Sequence, residues 1–170
     1  MSTINGTPST KFHGGTKPLP LAIGLVVFLA LSFIVASFGA RFETGWWYQQ
    51  LIKPSWTPPG WIFGPVWTLL YILMAVSAWL VWRQGGVSKN FIPLVFYAIQ
   101  LAFNALWSWF FFGMNQVGLA LVDIVLLVAA ILITTLMFFK RNRLAGIFML
   151  PYLLWVSFAT LLNLQIWRLN

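Results

Sequence analysis

VGLALVDIVLLVAAILITTLMFF, residues Val117–Phe139, carries a single charged side chain, Asp123, in a run otherwise made of aliphatic, aromatic, Gly, Ala and Thr residues. A run of about 18 or more residues of this kind reads as a helix that crosses a bilayer, because the hydrocarbon core is about 30 Å thick. Four further runs of the same character flank it: Leu19–Ala40, Pro65–Trp82, Pro93–Phe112 and Leu144–Trp167. In lipid only helices and closed barrels satisfy their own backbone polar groups. The expected fold is therefore all-α, an integral membrane bundle of five transmembrane helices.

The composition agrees with the run lengths. Of 170 residues 61% are hydrophobic and 7% charged, with a mean hydropathy of +0.87, whereas a soluble domain carries roughly 25% charged residues. The net charge of +8 comes from Lys and Arg scattered between apolar runs, with no basic face able to track phosphates, so a nucleic-acid partner is not expected. Cysteine is absent, which removes disulfides and thiolate metal sites and leaves the redox compartment undetermined.

Residues 1–18 are polar and rich in Gly, Ser and Thr, and read as a flexible tail. His13, the one histidine, lies there without partners for a metal and reads as a solvated tail residue. Residues 19–170 form the five-helix domain, with a Trp/Pro-rich first loop at 41–64. The end of the first run, ASFGA, has the look of a signal-peptidase site, but the run is longer than the usual apolar region of roughly 7–15 residues and is read as a retained helix. Within it Ser32, Ala36 and Ala40 form a small-residue stripe, able either to admit a neighbouring helix or to face lipid. The later connections, RQGGVSKNFI, GMNQ and KRNR, are short, so successive helices run antiparallel. Pro65 and Pro93 are placed at helix starts, where a missing N–H is harmless.

Five spans put the tail and the second and fourth loops on one side, with Lys11, Lys17, Arg83, Lys89, Lys140, Arg141 and Arg143, against Arg41, Lys53 and Arg168 on the other. The positive-inside rule then places the N-terminus in the cytoplasm and the first loop outside.

That loop holds WWYQQLIKPSWTPPGW, Trp46–Trp61. Tryptophans at a membrane boundary are commonly interfacial anchors. Pro54, Pro58 and Pro59 add a stiffness that an anchor does not need and a lid does. On the third span Gln100, Asn104 and Ser108 share a face, with Tyr97 and Trp107 beside them, and serve either as interhelical hydrogen-bonding groups or as ligand contacts. The fifth span offers Tyr152, Trp155, Ala159 and Asn163, and the second Trp67 and Tyr71. Three helices thus aim aromatic planes and amides at a common interior beneath the loop, a pocket suited to a large, flat, mostly apolar ligand. Asp123, without an acidic or histidine partner in the spans, is read as structural, hydrogen-bonded to a neighbouring helix or near the interface.

WYQQLIKPSWTPPGWIFGPVW, QLAFNALWSWFFFG, LVDIVLL and PYLLWVSFATLLNLQIWRLN resemble, in that order, the signature segments of the tryptophan-rich sensory protein family, whose mitochondrial members are called the translocator protein or peripheral benzodiazepine receptor. The likeness covers Trp46 to Asn170. It implies a five-helix bundle, usually a homodimer, that binds porphyrins such as protoporphyrin IX and haem together with other small hydrophobic ligands. Its ligand pocket maps onto Trp56, Pro58, Trp67, Gln100, Asn104, Trp155 and Ala159. The cholesterol-recognition tyrosine of mitochondrial members is replaced by Leu164, so sterol binding through that segment is not implied, as suits a bacterial member in a cell envelope.

The expected ligand-binding set is Trp56, Pro58, Trp67, Tyr71, Gln100, Asn104, Trp107, Tyr152, Trp155, Ala159 and Asn163. The favoured function is a receptor for tetrapyrroles, with porphyrin as ligand, no obligatory cofactor and no metal site. An enzyme-like, light-dependent breakdown of porphyrin through Trp67 and Trp155 is the alternative. Polar acid–base catalysis lacks its residues, since the spans hold no His, Cys or carboxylate pair. Cholesterol or lipid transport is a second alternative.

Overall fold

A computed structural model describes residues 18–42 and 45–170. His13, Lys11, Lys17 and the tail expected over 1–18 lie outside the described residues, except Pro18, which opens the first helix. The chain order is α1 (Pro18–Gly39), α2 (Trp46–Gln50), α3 (Gly60–Trp82), α4 (Gly86–Lys89), α5 (Phe91–Ser108) continued by a π-helical turn (Trp109–Gly113), α6 (Val117–Arg141) and α7 (Arg143–Leu169). Among the described residues α1, α3, α5 with its π turn, α6 and α7 are long and apolar enough to cross a membrane. The chain is an integral, multi-pass membrane protein built as a helical bundle.

The largest boundary difference from expectation, at the start of α3, has a local reason. α3 begins at Gly60 rather than Pro65, and Pro65 lies inside it. Pro59 already has the extended backbone of a helix cap (φ −55°, ψ 139°), so the helix starts there and the Trp61 carbonyl forgoes the donor that Pro65 lacks. Pro151 similarly lies inside α7. Between α6 and α7 a single residue, Asn142, makes the reversal. Its side chain accepts a hydrogen bond from the Ala145 N–H at 3.1 Å, which caps the new helix.

Close packing joins α5, α6 and α7. A Cβ on Gly146 of α7 would collide with the ring of Phe139 on α6. Tyr97 of α5 stacks on Phe138 of α6 with ring centroids 6.2 Å apart. α1 leans on the outside of this core: Ile23, Val26, Val27 and Ile34 are exposed, as a lipid-facing surface requires. The small-residue stripe admits a neighbouring helix at one position and lines internal space at the other two. Ser32 is fully buried and shares a hydrogen bond with the Tyr97 hydroxyl at 2.9 Å, while Ala36 and Ala40 border open space inside the bundle.

Candidate functional site: an aromatic cavity under the first loop

A cavity of about 510 Å³ lies at the end of the bundle where the first loop packs, within the range of about 300–1,000 Å³ usual for small-molecule sites. α1, the loop, α3, α5 with its π turn and α7 all contribute to its wall, and α6 does not. The aromatic wall is formed by Phe63, Trp67 and Tyr71 from α3, Trp107, Phe111 and Phe112 from the α5 end, Phe33 from α1 and Tyr48 from the loop. Trp107 and Phe111 lie with ring centroids 5.4 Å apart, tilted by 30°. Trp67 and Tyr71 follow at 5.6 Å.

Six of the sequence-predicted residues line this cavity together: Trp67, Tyr71, Asn104, Trp107, Ala159 and Asn163. Tyr152 is fully buried just behind the wall, its ring edge-on to Trp67 at 6.2 Å. Trp155 also stands behind the wall, edge-on to Phe63 at 5.8 Å, and its indole N–H is buried without a partner among the described residues. Trp56 and Pro58 are not wall residues; Trp56 is exposed and packs on Phe158 of α7 at 5.7 Å. Gln100 is not a wall residue either. It is fully buried in the bundle, with neither side-chain polar atom partnered among the described residues.

The amides that reach the wall also tie the helices together. The Tyr71 hydroxyl donates to Asn104 Oδ1 at 2.6 Å, and Asn104 Nδ2 donates to the Tyr152 hydroxyl at 3.1 Å. One asparagine therefore links α3, α5 and α7. A second chain runs from the Trp107 indole N–H to Asn163 Oδ1 at 3.0 Å, and from Asn163 Nδ2 to the Val117 carbonyl at 3.0 Å. Asn104 is interhelical glue, and it also lines the cavity. For Asp123 the structure bears on only the first of the two expected structural roles. The residue is buried, but its Oδ2 has no hydrogen-bond partner among the described residues, so the bond to a neighbouring helix is not made by that oxygen.

The loop supplies wall residues that the periodicity of the spans did not reveal. Tyr48, on the short helix α2, rests edge-on against Phe111 and Phe112 at 6.2 and 5.5 Å. Burial pushes its hydroxyl pKa up, which keeps this part of the wall neutral. Trp47 adds a further edge contact to Phe111 at 5.8 Å. The signal for both lay in the aromatic triplet WWY, which the three prolines downstream overshadow. Gly60, Gly64 and Thr68 complete the α3 side, and a Cβ on either glycine would meet nothing within 4 Å.

These features define a polytopic α-helical membrane protein with a preformed aromatic cavity beneath a tryptophan-rich loop. The chain belongs to the TspO/MBR family, whose sequence profile matches residues 22–168. It is 43% identical to the tryptophan-rich protein TspO of Chlorobaculum tepidum over 89% of this chain and 95% of that protein. It is 41% identical to the human translocator protein over 88% of this chain and 89% of that one. The tryptophan-rich sensory protein of Cereibacter sphaeroides is 40% identical, over 85% and 90% of the two chains.

Proposed function

We propose that the chain is a membrane receptor for flat, mostly apolar tetrapyrroles, held in the cavity by aromatic contact and oriented by the spare hydrogen-bonding capacity of Asn104 and Asn163. The observation that carries this reading is the wall itself: one connected space with Trp67, Tyr71, Trp107, Phe111 and Tyr48 around it. Aromatic faces favour offset or edge contact with another π system, and a macrocycle offers a large one. Among the described residues the wall contains no imidazole, thiolate or thioether, so of the axial ligands known for haem iron it offers only the phenols of Tyr48 and Tyr71. Metal-free protoporphyrin IX therefore fits it better than haem. The name translocator, borne by the human relative, is consistent with a protein that hands such a ligand on. Charge asymmetry supports an N-terminus on the cytoplasmic side.

Titration with protoporphyrin IX in darkness, followed by tryptophan fluorescence, tests the reading. Saturable quenching is expected, and Trp67→Ala is expected to weaken binding by about 1 kcal/mol beyond the lost burial. Trp155→Ala, behind the wall, is expected to weaken it less. Unchanged affinity in Trp67→Ala, or the larger loss in Trp155→Ala, would place the ligand elsewhere. Repeating the titration in light separates binding from breakdown, since only a porphyrin-degrading enzyme would bleach the porphyrin band faster than free pigment does.

A further inference from the structure

The loop that closes the cavity is fastened to the bundle by one side chain at the far end of the sequence. Asn170 Oδ1 accepts a hydrogen bond from the Ile52 N–H at 3.0 Å, and Asn170 Nδ2 donates to the Ile52 carbonyl at 3.1 Å. Both backbone polar groups of one loop residue thus pair with a single side-chain amide, as they would with a neighbouring strand. The same Nδ2 donates to the Ile166 carbonyl at 2.9 Å, which fixes the amide to the last turn of α7. Ile166 is a cavity-wall residue, and Tyr48, four residues before Ile52, is a loop residue on that wall.

Every other hydrogen bond made by the loop among the described residues is local. Gln49 N–H bonds the Gly45 carbonyl, and the Thr57 N–H and hydroxyl both bond the Pro54 carbonyl. Lys53 Nζ donates to the Leu51 carbonyl at 3.4 Å and stands 4.4 Å from the centre of the Tyr48 ring. The remaining ties between loop and helices are apolar: aromatic edges of Trp47 and Tyr48 on the π turn and of Trp56 on Phe158, and the Leu51 side chain packed on the cluster around Phe111 and Ile166. Such contacts draw the loop down without fixing its register. The two bonds to Ile52 fix it.

We propose that Asn170 is a positioning residue, a latch that holds the Trp-rich loop closed over the cavity, so that a ligand exchanges only when its bonds to Ile52 open. The ligand half of this inference rests on the cavity being the binding site. The bonds are solvent-exposed and so of modest net strength, which suits a gate that opens repeatedly. Asn170→Ala removes donor and acceptor together. Asn170→Asp keeps an acceptor for the Ile52 N–H and loses the donor.

Two measurements on the full chain in detergent test the latch. In the first, hydrogen exchange is followed without any ligand. The Ile52 amide should exchange about tenfold faster in Asn170→Ala and near the wild-type rate in Asn170→Asp, with α6 amides unchanged in both. In the second, protoporphyrin IX association and dissociation are followed by stopped flow. Both rates should rise about tenfold in Asn170→Ala, with the equilibrium affinity changing far less, a split that a merely destabilised bundle would not produce. Unchanged exchange at Ile52 in Asn170→Ala overturns the latch, as do unchanged porphyrin rates when the wild type binds. If exchange behaves as expected and the wild type binds no porphyrin, the tetrapyrrole reading falls and the latched loop stands.

Discussion

Asn104 offers the sharpest test of how the bundle is held together around its cavity. Asn104→Ala removes the group that bonds both Tyr71 and Tyr152. Interhelical hydrogen bonds in membrane proteins average about 0.6 kcal/mol and reach about 1.7, so two of them amount to about 1.2 and at most about 3.4 kcal/mol. A buried group left unpartnered in a protein interior costs about 1–3 kcal/mol, and the two hydroxyls differ in this respect. Tyr71 borders the cavity and can turn its freed hydroxyl toward that space. Tyr152 is 0% exposed and cannot. The expected loss is therefore about 2–3 kcal/mol, carried mostly by Tyr152.

That assignment makes a prediction of sign. In the wild-type background Tyr152→Phe breaks one bond and should destabilise by about 0.6–1 kcal/mol. In the Asn104→Ala background the same change removes an orphaned hydroxyl and should be neutral or stabilising. Reversible unfolding in mixed detergent micelles, read by tryptophan fluorescence for the four proteins of the cycle, gives the coupling directly. Equal losses from Tyr152→Phe in both backgrounds would refute the reasoning, because they would mean that the Asn104–Tyr152 bond carries no weight in the folded state.

Gly146→Ala places a methyl group against the near edge of the Phe139 ring, which lies between α6 and α7, and should cost about 1–3 kcal/mol of stability by overpacking, measurable in the same unfolding assay; wild-type stability would show that the two helices separate easily. Ala159→Leu adds three heavy atoms to the cavity wall with little change in helix propensity, so protoporphyrin IX affinity should fall about tenfold or more while stability holds. A stable mutant with wild-type affinity would remove Ala159 from the site.

The helices were readable because their signal is long. A run such as Val117–Phe139 has no other way to exist in or out of water, and four more runs like it leave one architecture. The face of each helix was readable too, since a spacing of four residues fixes direction around the axis. Depth along the axis was not. Gln100, Asn104 and Ser108 share a face, yet only Asn104 and Ser108 reach the cavity, because each step of four descends about 6 Å and the cavity ends near the level of Tyr71 and Asn104. The same arithmetic separates Ala159 and Asn163, which line it, from Tyr152 and Trp155, which stand below or behind. Asn170 carried no signal at all: a polar residue after an apolar helix reads as a solvated end, and its partner is 118 positions away.

The cavity divides the molecule into a fixed half and an adjustable one. α6 gives nothing to the wall, and its inner face, through Phe138, Ile131, Leu127 and Ile124, belongs to the core. On the other side, α1 is pinned at the end remote from the cavity. The Trp79 indole N–H donates to the Leu21 carbonyl at 2.8 Å, the Trp82 ring fills the space where a Gly24 side chain would be, and Ser32 bonds Tyr97. Beyond Ser32, among the described residues, no side-chain hydrogen bond joins α1 to the rest of the bundle, and it is this half, held by packing alone, that borders the cavity through Phe33, Ala36, Gly39 and Ala40. Among the described residues the next long-range hydrogen bond along the chain is the one from Ile52 to Asn170. The described chain between Ser32 and Ile52 thus forms one wall hydrogen-bonded to the bundle at its two ends and held between them by apolar contacts such as Val35 and Ala36 on the core and Tyr48 on the π turn, facing a wall of α3, α5 and α7 held by Asn104 and Asn163. On the proposed reading, a flat ligand would be accommodated by the wall with the fewer hydrogen bonds to the core, and a loss of α1 or loop protection from hydrogen exchange on ligand addition, with α6 amides unchanged, is the expected sign.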